Sequence, residues 1–328
     1  MSALAIAEAL EDLCEAAVAT LPGSVSGRQG QRIAARMTRE VRAYFERVER
    51  RFPTRKVLAL AGKYLAKRPE DKGQTQAEKE KVQNQVAKII GTAVASQDRT
   101  LERAHAEYSA VAYMLAAAQV EDSLRKQFRV RESALIEATL RADFLDQPIP
   151  LPVTEWARAE AATKVTAMSV TTQRELASTI ADAMTQPRRG VPDVARAIRD
   201  RFTDMTTTRS ELIATTEMNY AMSQGTFDRG AAMGATKKEW ITAGDDRVSE
   251  ICQGNGGAGT IPMERAFPSG DMQPPGHPRC RCALATFGAT RATVRIGVSP
   301  EGRTNWLANV GRGVVAQAAL KQIVKAAQ

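Results

Sequence analysis

Cysteine and histidine are scarce in this chain, with four and two residues among 328. So few cysteines exclude a small scaffold held together mainly by disulfides. Long apolar runs are missing too. None approaches the roughly 18 residues that a membrane-spanning helix needs. The start, Met1 to Asp12, has early acids and no basic n-region, so no signal peptide is expected. No Walker motif, dinucleotide glycine fingerprint or nucleophile elbow occurs, which removes the enzyme classes that those motifs mark. What remains is ordinary for a folded protein, 43% hydrophobic and 25% charged residues in a length that suggests roughly two domains.

The scarce residues are not scattered. Cys252, His277, Cys280 and Cys282 fall in one segment rich in Gly and Pro, leaving only Cys14 and His105 elsewhere. A Cys3His set is a standard tetrahedral zinc group, and clustered cysteines in a chain that is not secreted argue for metal over disulfides. Cys280 and Cys282 flank one arginine, so in extended backbone both point to one side. Pro278 limits the turn back to His277, and Cys252 comes from the far side of the glycine-rich stretch. The alternative is a set of buried thiols with a histidine hydrogen-bonded in a turn. Cys14 and His105 read as fillers on helices.

Charge is also uneven. Residues 28–88 hold 17 Lys/Arg against 7 Asp/Glu, leaving 29 basic and 30 acidic residues elsewhere, so this stretch carries the whole +9 surplus. A basic block of this kind suits DNA phosphates or an acidic protein surface, with Arg32, Arg36, Arg39, Arg42, Arg47, Arg50, Arg51, Arg55 and Lys56 as the contacting set. A solvated helix face is the plainer alternative.

Periodicity gives a mostly α protein: an N-terminal helical bundle, central long helices, and a small α+β C-terminal module holding the Cys/His cluster. Ile33, Met37, Val41, Tyr44, Val48 and Phe52 form the apolar stripe of a helix over 30–52, ended by Pro53. Further helices are expected over 57–65, 76–120 (with Gly91 as a candidate break), 132–144, 154–184 and 192–202. A long helix through Ala232 follows, with Thr206, Thr207 and Thr208 as N-cap candidates. Strands are expected at 237–243 and 282–287, loop at 254–259, and a last helix at 306–327. The domain plan is a helical domain at 1–146 with its basic region at 28–90, a proline-rich linker at 147–153, a helical part at 154–235, the Cys/His module at 236–290 and a tail at 291–328.

Arg209-Ser210-Glu211-Leu212-Ile213-Ala214-Thr215-Thr216-Glu217, then Gly230, Trp240, Asp246-Arg247-Val248 and Pro275-Gly276-His277-Pro278-Arg279-Cys280-Arg281-Cys282 follow one order. That order resembles the C-terminal domain of the phage Mu protein F-like minor head proteins, the phage head morphogenesis family, over about residues 170–290. The His-Pro-x-Cys-Arg-Cys ending is its sharpest element. One departure stands out: the family usually shows Asp-x-Arg-x-Cys-x-x-Cys, and here Ser249 replaces the first cysteine. The resemblance implies a virion head component, present in the host cytoplasm during assembly, that acts at the portal or procapsid interior. Its implied partners are portal protein, major capsid or scaffold protein, and packaged double-stranded DNA.

Glu217, Trp240, Asp246, Arg247, Pro278 and Arg281 are expected to shape the module. Glu217 is read as an ion-pair partner of Arg209 or Arg247, and Trp240 as a core anchor. No catalytic set is visible, so an enzyme is not expected. The alternatives are an ADP-ribosyltransferase-like domain, a metal hydrolase, or a non-specific DNA-binding protein.

Overall fold

A computed structural model describes residues 27–66, 75–128, 149, 151–186 and 190–290. Cys14 and the helices expected at 132–144 and 306–327 lie outside them. The elements in order are α1 (Arg28–Arg51), α2 (Thr54–Leu65), α3 (Gln76–Ala95), α4 (Asp98–Phe128), α5 (Leu151–Thr185), α6 (Val191–Asp204), a π-helical turn (Met205–Arg209), α7 (Ser210–Ala232), β1 (Lys237–Ile241), α8 (Glu250–Gly257), β2 (Ile261–Pro262) and β3 (Ala283–Phe287). The protein is thus mostly helical, with a small antiparallel sheet near the end of the described chain. No helix among the described residues is long and apolar enough to cross a membrane.

The chain forms two compact units interleaved in sequence. Of the described residues, one draws on 27–37, 106–128, 149, 151–159 and 212–290, the other on 38–66, 75–105, 160–186 and 190–211.

In the second unit, α1 buries Val41, Tyr44, Phe45, Val48 and then Phe52, which meets Phe202 of α6 edge-on at 5.2 Å. Thr75 starts α3 with a capping box: Glu78 N–H donates to Thr75 Oγ1 at 3.3 Å, and Thr75 N–H donates to Glu78 Oε2 at 3.0 Å. Val82, Val86, Ile90 and Val94 then line its buried face. The helix expected over 76–120 is two helices, parted at Ser96 and Gln97 and not at Gly91. A Cβ at Gly91 would stand 2.7 Å from the Gln173 amide nitrogen, which donates to Ala87 O.

Two further boundaries differ from the sequence reading. Leu151, Pro152 and Val153 open α5, so the last residues of the proline-rich stretch are helical; Pro is tolerated in a first turn, where its missing N–H is no loss. Thr206, Thr207 and Thr208 cap nothing, since the chain stays helical from α6 through the π turn into α7. Thr206 and Thr207 hydroxyls instead donate back to Phe202 O and Thr203 O. The π turn leaves Thr206 O available to the Arg42 guanidinium, which donates to it at 2.9 Å. Beside it Glu175 accepts from both Arg201 and Arg209.

In the first unit, α7 packs closely on α4. A Cβ at Gly225 would stand 2.2 Å from Tyr113 O, so only glycine fits. Tyr113 donates to Asp228 at 2.7 Å, and Arg229 donates to Glu121 at 2.8 Å, with Arg125 on the other Glu121 oxygen. Gly234, in the left-handed region at φ +87°, ends α7, and Ala235 N–H donates to Gly230 O. The sheet has order β2-β1-β3, with Trp240 opposite Leu284 and Lys238 opposite Thr286 and Ile261. Lys238 shares the buried face with Trp240. Its ammonium donates to Met272 O at 2.7 Å and lies over the Phe227 and Phe267 rings, and burial pushes its pKa down to about 8.

Candidate metal centre

The glycine-rich stretch expected as loop is in large part a helix, α8, which presents Cys252. Ser249 explains it: its Oγ accepts from Cys252 N–H at 3.3 Å and caps the helix N-terminus. Asn255, fully buried, ties α8 to the next loop by accepting from Ser269 N–H at 3.0 Å and donating to Ser269 Oγ at 2.9 Å. Gly256 lies against β1, where a Cβ would meet Thr242 at 2.8 Å. These specific contacts outweigh the low helix propensity of three glycines.

The second limb runs from Gly276 into β3. His277 O accepts from Cys280 N–H at 3.2 Å, closing a tight turn with Pro278 and Arg279 at its centre. Arg279 sits in the left-handed region at φ +62°. Cys280 and Cys282 then enter the core formed by Trp240, Cys252, Ile261, Phe267 and Leu284.

Ligand atoms of Cys252, His277 and Cys280 all lie within 4.8 Å of one another. The Cys252 and Cys280 sulfurs are 3.6 Å apart. With Zn–S bonds of about 2.3 Å, a tetrahedral site has S···S edges of about 3.8 Å, so this pair fits a zinc site without rearrangement. The His277 Nδ1 lies 2.7 Å from Pro278 O. An Nδ1–H donated there fixes the tautomer and leaves the ring's free lone pair on Nε2. Cys282, the fourth residue expected in the set, stands outside that group, buried beside Cys280. It belongs to the same core as Cys252 and Cys280, and hydrogen bonding to Cys280 and then burial drive its pKa up. The same hydrogen bond from Cys282, with backbone N–H groups, holds Cys280 down to about 5, whereas burial raises Cys252. A thiolate-prone Cys280 facing a buried thiol and an imidazole is a donor set for a soft or borderline divalent cation.

The charged residues around the site are rearranged relative to expectation. Asp245, not Asp246, is the structural acid: Arg281 Nη1 and Nη2 each donate to one of its oxygens at 2.6 Å. Those bonds hold the Asp245 carboxyl well below the usual carboxylate range. Asp246 is exposed, while Arg247 reaches back to Asp245 at 3.2 Å with most of its side chain in solvent. The Asp-x-Arg spacing is therefore met from Asp245. Arg209, one of two partners expected for Glu217, pairs with Glu175, and Arg247, the other, pairs with Asp245. Trp240 is a core anchor, edge-on to Phe267 at 5.2 Å.

Sequence reasoning missed Asn219 and Asp245. Asn219, fully buried on α7, donates to Cys280 O at 2.9 Å and Cys282 O at 3.3 Å. An asparagine inside a helix, where propensity disfavours it, was the available signal. In the basic region Arg32, Arg39, Arg42, Arg50, Arg51, Arg55 and Lys56 are exposed, and Arg36 and Arg47 are half-buried.

A helical protein whose small sheet ends in a Cys/His limb braced against a helix is the class defined by this geometry. Residues 172–285, about a third of the chain, match the family model described as Phage Mu protein F like protein, and the likeness is confined to that segment. The match contains Cys252, His277, Cys280 and Cys282 and ends within β3. No curated protein and no solved structure shows significant similarity to the chain.

Proposed function

We propose that this protein is a bacteriophage minor head protein, a structural component of the virion that acts at the portal or procapsid interior in head assembly and in DNA packaging or ejection. The observation that carries the reading is the domain match over residues 172–285, with the convergent Cys252, His277 and Cys280 inside it. The metal we assign to that group is zinc, bound as a brace between α8 and the limb entering β3. Portal protein, or major capsid or scaffold protein, is the partner. The exposed arginines of α1 and α2 fit a role beside packaged double-stranded DNA.

The test is assembly. Heads purified from cells expressing the structural genes, with and without this chain, are compared for its co-purification with portal protein and for DNA filling. Retention with the portal and loss of infectious particles on deletion are expected. Heads that assemble, fill and infect normally without it refute the reading. Conservative replacement of Glu217 by Gln or Asp246 by Asn, each removing a titratable acid, is expected to leave particle yield intact. Normal folding with abolished infectivity in those variants would favour an enzymatic role.

A further inference from the structure

The Cys280-Arg281-Cys282 limb is held by one face of α7, and that face carries two polar side chains spaced three residues apart, Thr216 and Asn219. Asn219 is fully buried, and its orientation is not ambiguous. Both groups facing it are carbonyl oxygens, of Cys280 at 2.9 Å and Cys282 at 3.3 Å, so only the amide nitrogen can point at them. Its own Oδ1 is buried and meets no donor among the described residues. An orphaned carbonyl opposes folding. A residue kept at this cost has its use in the two bonds that it does make.

Thr216 acts one residue earlier in the limb. Its hydroxyl donates to Leu212 O at 2.7 Å, which commits the proton and leaves a lone pair for Arg279 N–H at 3.2 Å. Arg279 is the only non-glycine with positive φ among the described residues, at +62°. With Pro278 before it and Cys280 N–H bonded to His277 O, it occupies the position of a turn where glycine or asparagine is favoured. Arginine has no such preference, so the turn needs an outside restraint. The turn is what brings His277 and Cys280 round to the same side, toward Cys252.

We propose that Thr216 and Asn219 are the positioning residues of this centre, pinning the Arg279 N–H and the Cys280 and Cys282 carbonyls so that His277 and Cys280 face Cys252 in ligating geometry before metal arrives. The inference rests on reading that trio as a metal site. Neither residue touches the metal; each acts through the backbone that carries the ligands, as outer-shell partners do in metal sites generally.

The experiment is cobalt(II) titration of the full-length protein, followed by the thiolate-to-cobalt absorption band and by competition with a chelator. Asn219→Leu keeps the side-chain shape and removes the donor. Thr216→Val keeps the branched shape and removes the acceptor. Each is expected to weaken cobalt binding roughly 10- to 100-fold, with the metal-free proteins melting close to the wild type. Adding Arg279→Gly to Thr216→Val is expected to restore affinity, because glycine holds the turn unaided. Wild-type affinity and band shape in both variants overturn the proposal while leaving the metal site standing. The proposal is also overturned if the variants lose metal-free stability but keep affinity, since that marks a purely structural role. If Asn219→Leu does not fold, Thr216→Val and its rescue decide the matter. A wild-type protein that gives no thiolate band refutes the metal reading itself, and this inference with it.

Discussion

Arg281 grips Asp245 with both terminal guanidinium nitrogens, each 2.6 Å from a different carboxylate oxygen. This bidentate pair fastens the limb between the two cysteines to the turn after β1, and it gives the module a pH dependence. Because Arg281 holds the Asp245 pKa below its unfolded value, the pair's contribution is full above pH about 4 and is lost as pH falls through the lower folded value. Asp245→Asn is expected to be less stable than wild type at pH 7, with the difference shrinking below pH about 4. Urea unfolding across pH 2–7 measures it. A pH-independent difference would mean that the pair does not act through this charge.

Zinc is expected at about one equivalent per chain in protein purified without chelator, by elemental analysis. Chelation should lower the thermal midpoint, and Cys252→Ser or Cys280→Ser should abolish both the metal and the effect of chelator. Cys282→Ser is expected to act differently, retaining most of the metal, because Cys282 stands outside the ligand group. Loss of metal equal to that of Cys280→Ser would place Cys282 among the ligands.

DNA binding should be non-specific and steeply salt-dependent. Substituting Arg50, Arg51, Arg55 or Lys56 singly by Ala is expected to weaken binding and reduce the salt slope by about 1 if that side chain meets a phosphate. Arg42→Ala should cost stability as well, since that guanidinium also bonds Thr206 O in the π turn. Fluorescence anisotropy on duplexes of unrelated sequence, at several salt concentrations, checks both. Affinity unchanged across salt would remove DNA from the partners.

Gly225→Ala is expected to destabilise the unit containing α4 and α7 by about 1–3 kcal/mol, the usual cost of overpacking. Its Cβ would stand 2.2 Å from Tyr113 O, a backbone atom that cannot rotate away. Gly254→Ala is the control, because nothing lies within 4 Å of its Cβ position. Equal stabilities of the two variants would contradict the close approach of the helices.

Local pattern determined a good deal of this protein. The stripe from Ile33 to Phe52, the end of α7 at Gly234 and the alternation around Trp240 all follow from nearest-neighbour periodicity and backbone preference, which act within a few residues. The rarity of cysteine and histidine was enough to single out Cys252, His277 and Cys280, and the order of motifs from Arg209 to Cys282 was enough to indicate the family matched at 172–285. Tertiary structure decided what depends on partners distant in sequence. Asp245 and Asp246 are adjacent and chemically alike, and only the approach of Arg281 chooses between them. Asn219 becomes a brace only once β3 brings the Cys280 and Cys282 carbonyls to α7. The glycine-rich segment is helical because Ser249 caps it and Asn255 is tied to Ser269, bonds whose energy exceeds the weak local preference for loop. Cys282 has the spacing of a ligand and shares the core around Trp240 with Cys252 and Cys280, yet the group whose ligand atoms converge is Cys252, His277 and Cys280, since a strand's pleat sets which side a residue faces but not what it meets there.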